Sequence, residues 1–447
     1  RAAGTGMPGG NVGPGVAVDL RTHFRAPPAV DPAARTARVE PGVTLHALNA
    51  AAAPHGLHFP VDPSSGEVCT FGGMIANNSG GAHTVLHGAT RAWVRALDVV
   101  LADGTRVEAR RGIPAGHPRL RELLSRVDAV VEPRRAEVLA GWPRVRKNSS
   151  GYALKEYLES GDAVDLLVGS EGTLALVVGA EVALAPLPAA RGLALLEFTD
   201  LERAGAAVER VLALRPATCE IVDRTFIDLV RAGGEDPGYP LRPGLEAILF
   251  VEMEGGSAEE VAARLEEVRD RMAGVADHVS LATDPERQAR YWHARHAASP
   301  LIARLAGGRV SMQFIEDGVV PVERLADYIR LLRRVLAAHG LPAVIFGHAG
   351  DGNLHVNPLV DVSRPGWRAE AEAVALEVAE GVAALGGTLA GEHGDGRLRA
   401  PLLETVWGPE LVACFRAVKE AFDPAGILNP GVILPLPGQR PLDAARF

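Results

Sequence analysis

The densest chemistry in the chain lies in Phe346-Gly-His-Ala-Gly-Asp-Gly-Asn-Leu-His-Val-Asn357. Asp351-Gly352 between two apolar runs is a two-residue type I′ hairpin signal. With those residues as the turn, Gly350 faces Asn353, Ala349 faces Leu354 and His348 faces His355. Directly opposed residues hold their Cβ atoms about 4.5–5.5 Å apart, close enough for two imidazoles to share one metal ion. Asn357, two residues beyond His355, falls on the same side of the strand. Further on, Gly391-Glu-His-Gly-Asp-Gly396 sets Glu392 and His393 side by side between glycines. Extended neighbours point to opposite sides, so Glu392 is available to the ion while His393 faces another reactant. Two histidines and a glutamate with open positions make a catalytic rather than a closed ion site, with zinc expected first and manganese second.

A second kind of chemistry sits in the glycine loops. Gly4, Gly6 and Gly9 fit G-x-G-x-x-G, a spacing that signals a Rossmann fold only between a strand and a helix. Pro8, Gly10, Gly13 and Pro14 forbid that helix, and Val16–Leu20 reads as a strand. A glycine loop feeding a strand can still cradle a pyrophosphate through backbone N–H groups. Phe71-Gly-Gly-Met-Ile-Ala-Asn-Asn-Ser-Gly-Gly81 reads as a second loop, with Asn77, Asn78 and Ser79 as hydrogen-bonding side chains. Pro60–Ser65 and Gly169–Leu174 add two further turns. Loops of this kind gathered in one region imply a large, extended cofactor.

The elements that must position these residues fall into two regions. From Val16 to about Pro188, apolar runs broken by Gly, Pro, Asn and Asp predict strands at Val16–Leu20, Ala37–Glu40, Ala96–Leu101 and Leu174–Val178. Helices are predicted near Leu45–Ala53 and Arg119–Val131. Ala185-Pro-Leu-Pro188 reads as a linker. Beyond it come strands at Leu193–Phe198, Thr218–Val222 and Ala247–Glu252, and helices at Ala204–Leu214, Ala258–Met272 and Val322–His339. That alternation predicts a sheet with helices on one face, and an α+β fold class. Phe422–Val432 is turn-rich and reads as a return to the first domain, dividing the chain into 1–188, 189–415 and 416–447. No internal repeat is evident. The chain opens inside a glycine loop without an initiator Met, which predicts residues ahead of Arg1.

Composition narrows the classes. The 447 residues are 47% hydrophobic, 23% charged and 5% aromatic, as in a globular protein of two domains. Acidic residues (55) and basic residues (46) are mixed along the chain at a net charge of −9, so no basic stripe marks a nucleic-acid footprint. Cys69, Cys219 and Cys414 lie far apart, which suits a reducing cytoplasm and supplies no iron–sulfur ligand set. No window is apolar enough to span a membrane. A cytoplasmic location is expected, with peripheral contact at an inner membrane left open.

Together, Arg1–Gly10, Pro60–Gly81, Asn148–Tyr152, Gly169–Leu174, Gly347–Asn357, Gly391–Gly396 and Asp423–Gly431 resemble the FAD-linked oxidases of the vanillyl-alcohol-oxidase/p-cresol-methylhydroxylase fold. Within them the chain is similar to the branch of D-lactate, glycolate and D-2-hydroxyglutarate dehydrogenases. The resemblance implies a two-part FAD-binding domain, made by the N-terminal region and the C-terminal tail, under an α+β cap domain that carries the metal site. It implies that Gly4, Thr5, Gly6, Gly9 and Gly10 bind the FAD pyrophosphate. Pro63, Ser64, Gly72, Gly73, Asn77, Ser79 and Gly80 would line the cofactor, and Glu171, Gly172 and Asn429 would lie near its flavin or adenosine parts. His348, His355 and Glu392 are implied as metal ligands and His393 as catalytic base. Arg295, in Trp292-His-Ala-Arg-His-Ala-Ala-Ser299, resembles the arginine that takes the substrate carboxylate, and Asn357 joins the catalytic set.

Two departures stand out. The first glycine loop has no His, so FAD is expected to be held non-covalently. Where several relatives place a substrate-binding Lys, this chain has Glu316 and Asp317, and this version resembles the subfamily whose longer chains carry an iron–sulfur domain.

The implied reaction is oxidation of a small D-2-hydroxy acid. Arg295 pairs with the carboxylate, the ion binds the 2-hydroxyl, His393 takes its proton and hydride passes from C2 to the flavin. The implied partners are that acid and an electron acceptor, a quinone or an iron–sulfur protein or domain; a homo-oligomer stays open. Two rival readings are a metal-dependent hydrolase using His348, His355 and Glu392, and a non-catalytic FAD-binding subunit.

Overall fold

A computed structural model describes residues 1–232, 242–293, 295, 308–443 and 445. The first sheet is antiparallel, in the order Ala29–Asp31, Thr36–Val39, Leu176–Ala183, Val94–Val100, Arg106–Arg110. Its inward residues, among them Leu97, Val99 and Val107, share a core with the helix Pro118–Val131. That helix starts where Pro118 fits its first turn and the His117 ring accepts the Arg119 N–H. The helix Leu403–Phe422, far along the chain, adds Trp407, Phe415 and Phe422 to the same core. Each such buried side chain contributes about 1.5–3 kcal/mol. Packing against the first core thus resumes at Leu403, ahead of residue 416.

Two expected elements differ. Val16–Leu20 forms no strand; Val16 is 96% exposed, and the segment runs along a cavity instead of beside a pairing partner. Phe71–Asn77, read as loop, is a helix ending at Asn78 in the left-handed region. Its Phe71, Met74 and Ile75 follow helical spacing into the first core, and their burial outweighs the roughly 1 kcal/mol that each glycine costs a helix. Gly72 has its own reason to be glycine: a Cβ there would lie 2.7 Å from Pro41 Cβ.

The larger sheet runs His278–Ala282, Ala190–Phe198, Ala247–Gly255, Thr218–Asp223, Ala343–Gly347, Asn353–Val360, Val310–Ser311, with Gly318–Val319 also on Asn353–Val360. One face, including Leu196, Ile221, Val251 and Val356, packs on the helices Leu201–Leu212, Ala258–Met272, Leu325–Ala338 and Trp367–Ala384. Ser257 starts the second of these by accepting the Glu260 N–H at 3.2 Å. The other face holds Leu195, Val222, Phe250 and Phe346, with the helix Arg224–Ala232. Strand side chains alternate, so Glu220, Glu252, His355 and Asn357 fall on this second face.

The hairpin register differs from the two-residue turn. His355 pairs with Phe346 and Asn357 with Val344, and His348 has no strand partner. Ala349–Asp351 winds into a 3-10 turn whose N–H groups return to His348 and Ala349, so the connection is longer than Asp351-Gly352. Gly352 ends that turn at φ 72°, where a Cβ would strike Val320 O.

Candidate active site

A cavity of about 1590 Å³ is lined from the glycine loops, the Phe71–Asn77 helix, the second face of the larger sheet and the turn at Asn429. Of the residues expected to hold the cofactor, Gly4, Thr5, Gly6, Gly10, Pro63, Ser64, Gly72, Gly73, Asn77, Ser79, Gly80, Glu171, Gly172 and Asn429 line it. Gly9 does not; its carbonyl accepts at 3.0 Å from Arg397, which does.

At the loop end the wall is largely main chain, with Arg1 and Arg397 beside it. Among the described residues, the N–H groups of Gly4, Thr5, Gly6 and Gly10 have no protein acceptor. Such a run of open donors suits an anion bearing several oxygens, as a pyrophosphate does. The loop is fixed from outside by other parts of the chain. Asn429 Nδ2 donates to Gly10 O and Glu171 O, both at 2.9 Å. Glu171 accepts the N–H groups of Asp395 (2.7 Å) and Gly396 (3.0 Å). Burial and the neighbouring Asp395 raise the Glu171 carboxyl to about 8, against those N–H groups.

At the far end the wall is ionisable side chains. His348 Nε2 and His355 Nε2 stand 3.0 and 3.4 Å from Glu392 Oε1, and the two rings cross edge-on with centroids 5.1 Å apart. Atoms bound about 2.0–2.1 Å from one tetrahedral ion lie roughly 3.3 Å apart, so this spacing fits one ion. The outer nitrogens are also braced: His348 Nδ1 lies 2.6 Å from Glu220 Oε1, and His355 Nδ1 lies 3.2 Å from Glu316 Oε2. Carboxylates at Nδ1 fix the ring so that Nε2 faces the ion. His348 and His355 therefore converge, though not as cross-strand partners.

His393 stacks on His355 at 5.2 Å with its Nδ1 2.7 Å from Glu316 Oε2, and its side chain is 23% exposed. Burial pulls its imidazole towards neutrality, yet Glu316 and Asp317 hold it at about 9. Asp317 also accepts the N–H groups of Glu392 (3.1 Å) and His393 (2.8 Å), fixing the segment that carries both. Arg295 and Asn357 line the same end. Arg295 Nη2 reaches Glu220 Oε2 at 2.6 Å, while its buried Nε has no hydrogen-bond partner among the described residues. Ala294 and the His296–Ser299 part of the motif around Arg295 lie outside the described residues.

Three groups escaped the sequence reading. Lys147, whose side chain is 0% exposed, places Nζ 2.5 Å from Glu392 Oε2 and 3.2 Å from Asn353 Oδ1. Glu220 braces both His348 and Arg295. Burial opposes its ionisation, but His348 and Arg295 bring the carboxyl down to about 2. Glu316, seen as a departure at a substrate-binding position, instead braces His355 and His393 and pairs with buried Arg399. A charged residue inside the apolar run Thr218–Asp223 was the available signal for Glu220; Lys147, in a basic stretch, carried none.

A cavity with an open-donor loop at one end and an ion-spaced histidine cluster at the other defines a protein built around a long phosphate-bearing cofactor and a small reactive substrate. Residues 1–110 match the FAD binding domain, and residues 187–433 match the C-terminal domain of FAD linked oxidases. The chain belongs to the FAD-linked oxidase family. It is 32% identical to glycolate oxidase subunit GlcD of Escherichia coli K12, over 97% of this chain and 78% of that one. It is also 32% identical to the D-lactate dehydrogenase of Archaeoglobus fulgidus, over 97% of this chain and 85% of that one. The solved 4-ethylphenol oxidase of Gulosibacter chungangensis superposes with a TM-score of 0.60 at 17% identity, covering 93% of this chain and 80% of that one, a likeness of fold. No described helix is long and apolar enough to cross a membrane.

Proposed function

We propose that this chain oxidises a D-2-hydroxy acid of the lactate, glycolate or 2-hydroxyglutarate type to the 2-oxo acid. The observation that carries this reading is a single cavity joining the open-donor loop to the His348, His355, Glu392 and Arg295 end. The relatives named glycolate oxidase subunit and D-lactate dehydrogenase support it. When bound, FAD supplies a two-electron acceptor, and a zinc or manganese ion at His348, His355 and Glu392 supplies Lewis acidity.

The protein's own groups then divide the work. Arg295, held through Nη2 by Glu220, offers Nε to the substrate carboxylate as a charge-assisted donor. Glu316 anchors Nδ1 of His393, leaving Nε2 as the atom that takes the hydroxyl proton once the ring has given up the proton that Glu316 and Asp317 favour. Asn357, on the same strand face as His355, completes the substrate wall. We assign reoxidation to a quinone or to an iron–sulfur partner.

The test is anaerobic titration of the yellow protein with D-lactate, glycolate and D-2-hydroxyglutarate, with and without a chelator. Bleaching of the flavin by at least one acid, abolished by the chelator and restored by zinc or manganese, is expected. A colourless, metal-containing protein that none of these acids alters would overturn the reading and favour a hydrolase.

A further inference from the structure

A second group of histidines and carboxylates lies where the first part meets the second face of the larger sheet. Glu252 and Glu254, two residues apart on the strand Ala247–Gly255, share one side of it. His83 comes to them from just ahead of the short helix Thr84–His87. His83 Nε2 lies 2.9 Å from Glu252 Oε1 and 3.7 Å from Glu254 Oε1, values that bracket the roughly 3.3 Å between two ligands of one tetrahedral ion. None of these three side chains lines the large cavity.

The surroundings are those of a ligand set. His83 Nδ1 sits 2.6 Å from Asp62 Oδ2, the carboxylate–histidine brace that turns Nε2 towards an ion. Glu252 Oε2 accepts from Trp292 Nε1 at 3.0 Å, which leaves Oε1 for coordination. His87 Nε2 is buried without a hydrogen-bond partner among the described residues. His87 Nε2 is 3.8 Å from Glu254 Oε2, the nearest nitrogen for a fourth position. Three carboxylates, Asp62, Glu252 and Glu254, gather around His83, and Arg191 reaches Glu254 Oε1 at 3.0 Å and Glu252 Oε1 at 3.7 Å. The Arg191 side chain is 41% exposed.

We propose that His83, Glu252 and Glu254 bind a second divalent cation, zinc or manganese by their mix of imidazole and carboxylate. It is a structural clamp: His83 belongs to the first part, the glutamates to the larger sheet, and Trp292 stands three positions before Arg295. The clamp thus ties the segment bearing Arg295 to the cofactor-binding part.

The experiment counts metal per flavin in the FAD-loaded protein after equilibration with excess zinc and desalting, alongside thermal unfolding. Two ions per FAD are expected in the wild type, one in Glu254→Gln, one in His348→Ala and none in the double variant. Zinc is expected to raise the melting temperature of His348→Ala and to leave that of the double variant unchanged. Arg191→Ala, which removes the competing cation and no ligand, is expected to retain the second ion to higher chelator concentrations. One ion in the wild type, lost in His348→Ala and kept in Glu254→Gln, would overturn this site and leave the proposed catalytic ion intact. The converse loss would support this site and overturn the catalytic ion.

Discussion

The two ends of the cavity solve opposite problems. The loop end presents the open N–H groups of Gly4, Thr5, Gly6 and Gly10, with the Arg1 and Arg397 side chains beside them. The histidine end presents groups that already satisfy one another: His348 with Glu220 and Glu392, His393 with Glu316, Lys147 with Glu392. The main-chain end is tolerant of side-chain identity and intolerant of backbone movement. The side-chain end is the reverse, since removing one member of a buried charged network leaves another uncompensated.

Three substitutions probe that contrast, in falling order of effect. His393→Ala should slow flavin reduction by about 10²–10⁴-fold, the range for a positioned base, with FAD content unchanged. Stopped-flow absorbance measures this, and near-normal reduction would remove His393 from its assigned role. Gly396→Ala attacks the other end: with φ 56° and a Cβ that would strike Pro8 O, it must push the glycine loop. Strain of about 1–3 kcal/mol from overpacking alone is expected, read as weakened FAD retention on gel filtration while metal content holds. Retained FAD would mean that the loop is less rigid than its contacts imply. Glu316→Gln leaves both ends assembled but loosens the brace on His355 and His393. A loss of about 10–100-fold in metal affinity or rate is expected for such a supporting group, and equal chelator midpoints with equal rates would refute that support.

Much of this contrast was legible in the sequence. The glycine loops, His348, His355, Glu392 and His393 were visible as types and spacings, because their chemistry is local. Their partners were not. Asp-Gly between apolar runs favours a tight hairpin, yet burial of Asp351 and the close approach of Gly352 to Val320 impose a 3-10 turn. Phe71–Asn77 hides a helix under two glycines because its helical signal is only three apolar residues long. Val16–Leu20 looks like a strand, but no edge is offered for it to pair with. Lys147 is buried where Gly80 and Glu392 close over it, contacts with residues far from it in the chain.

The tie from Glu171 to the N–H groups of Asp395 and Gly396 spans 224 and 225 positions, and Asn429 fastens both Glu171 and Gly10. A growing chain on a ribosome therefore cannot fix its glycine loop until Asn429 has emerged. Closing so long a loop is entropically slow. Until then, the open donors and the buried-carboxylate strand face stay bare.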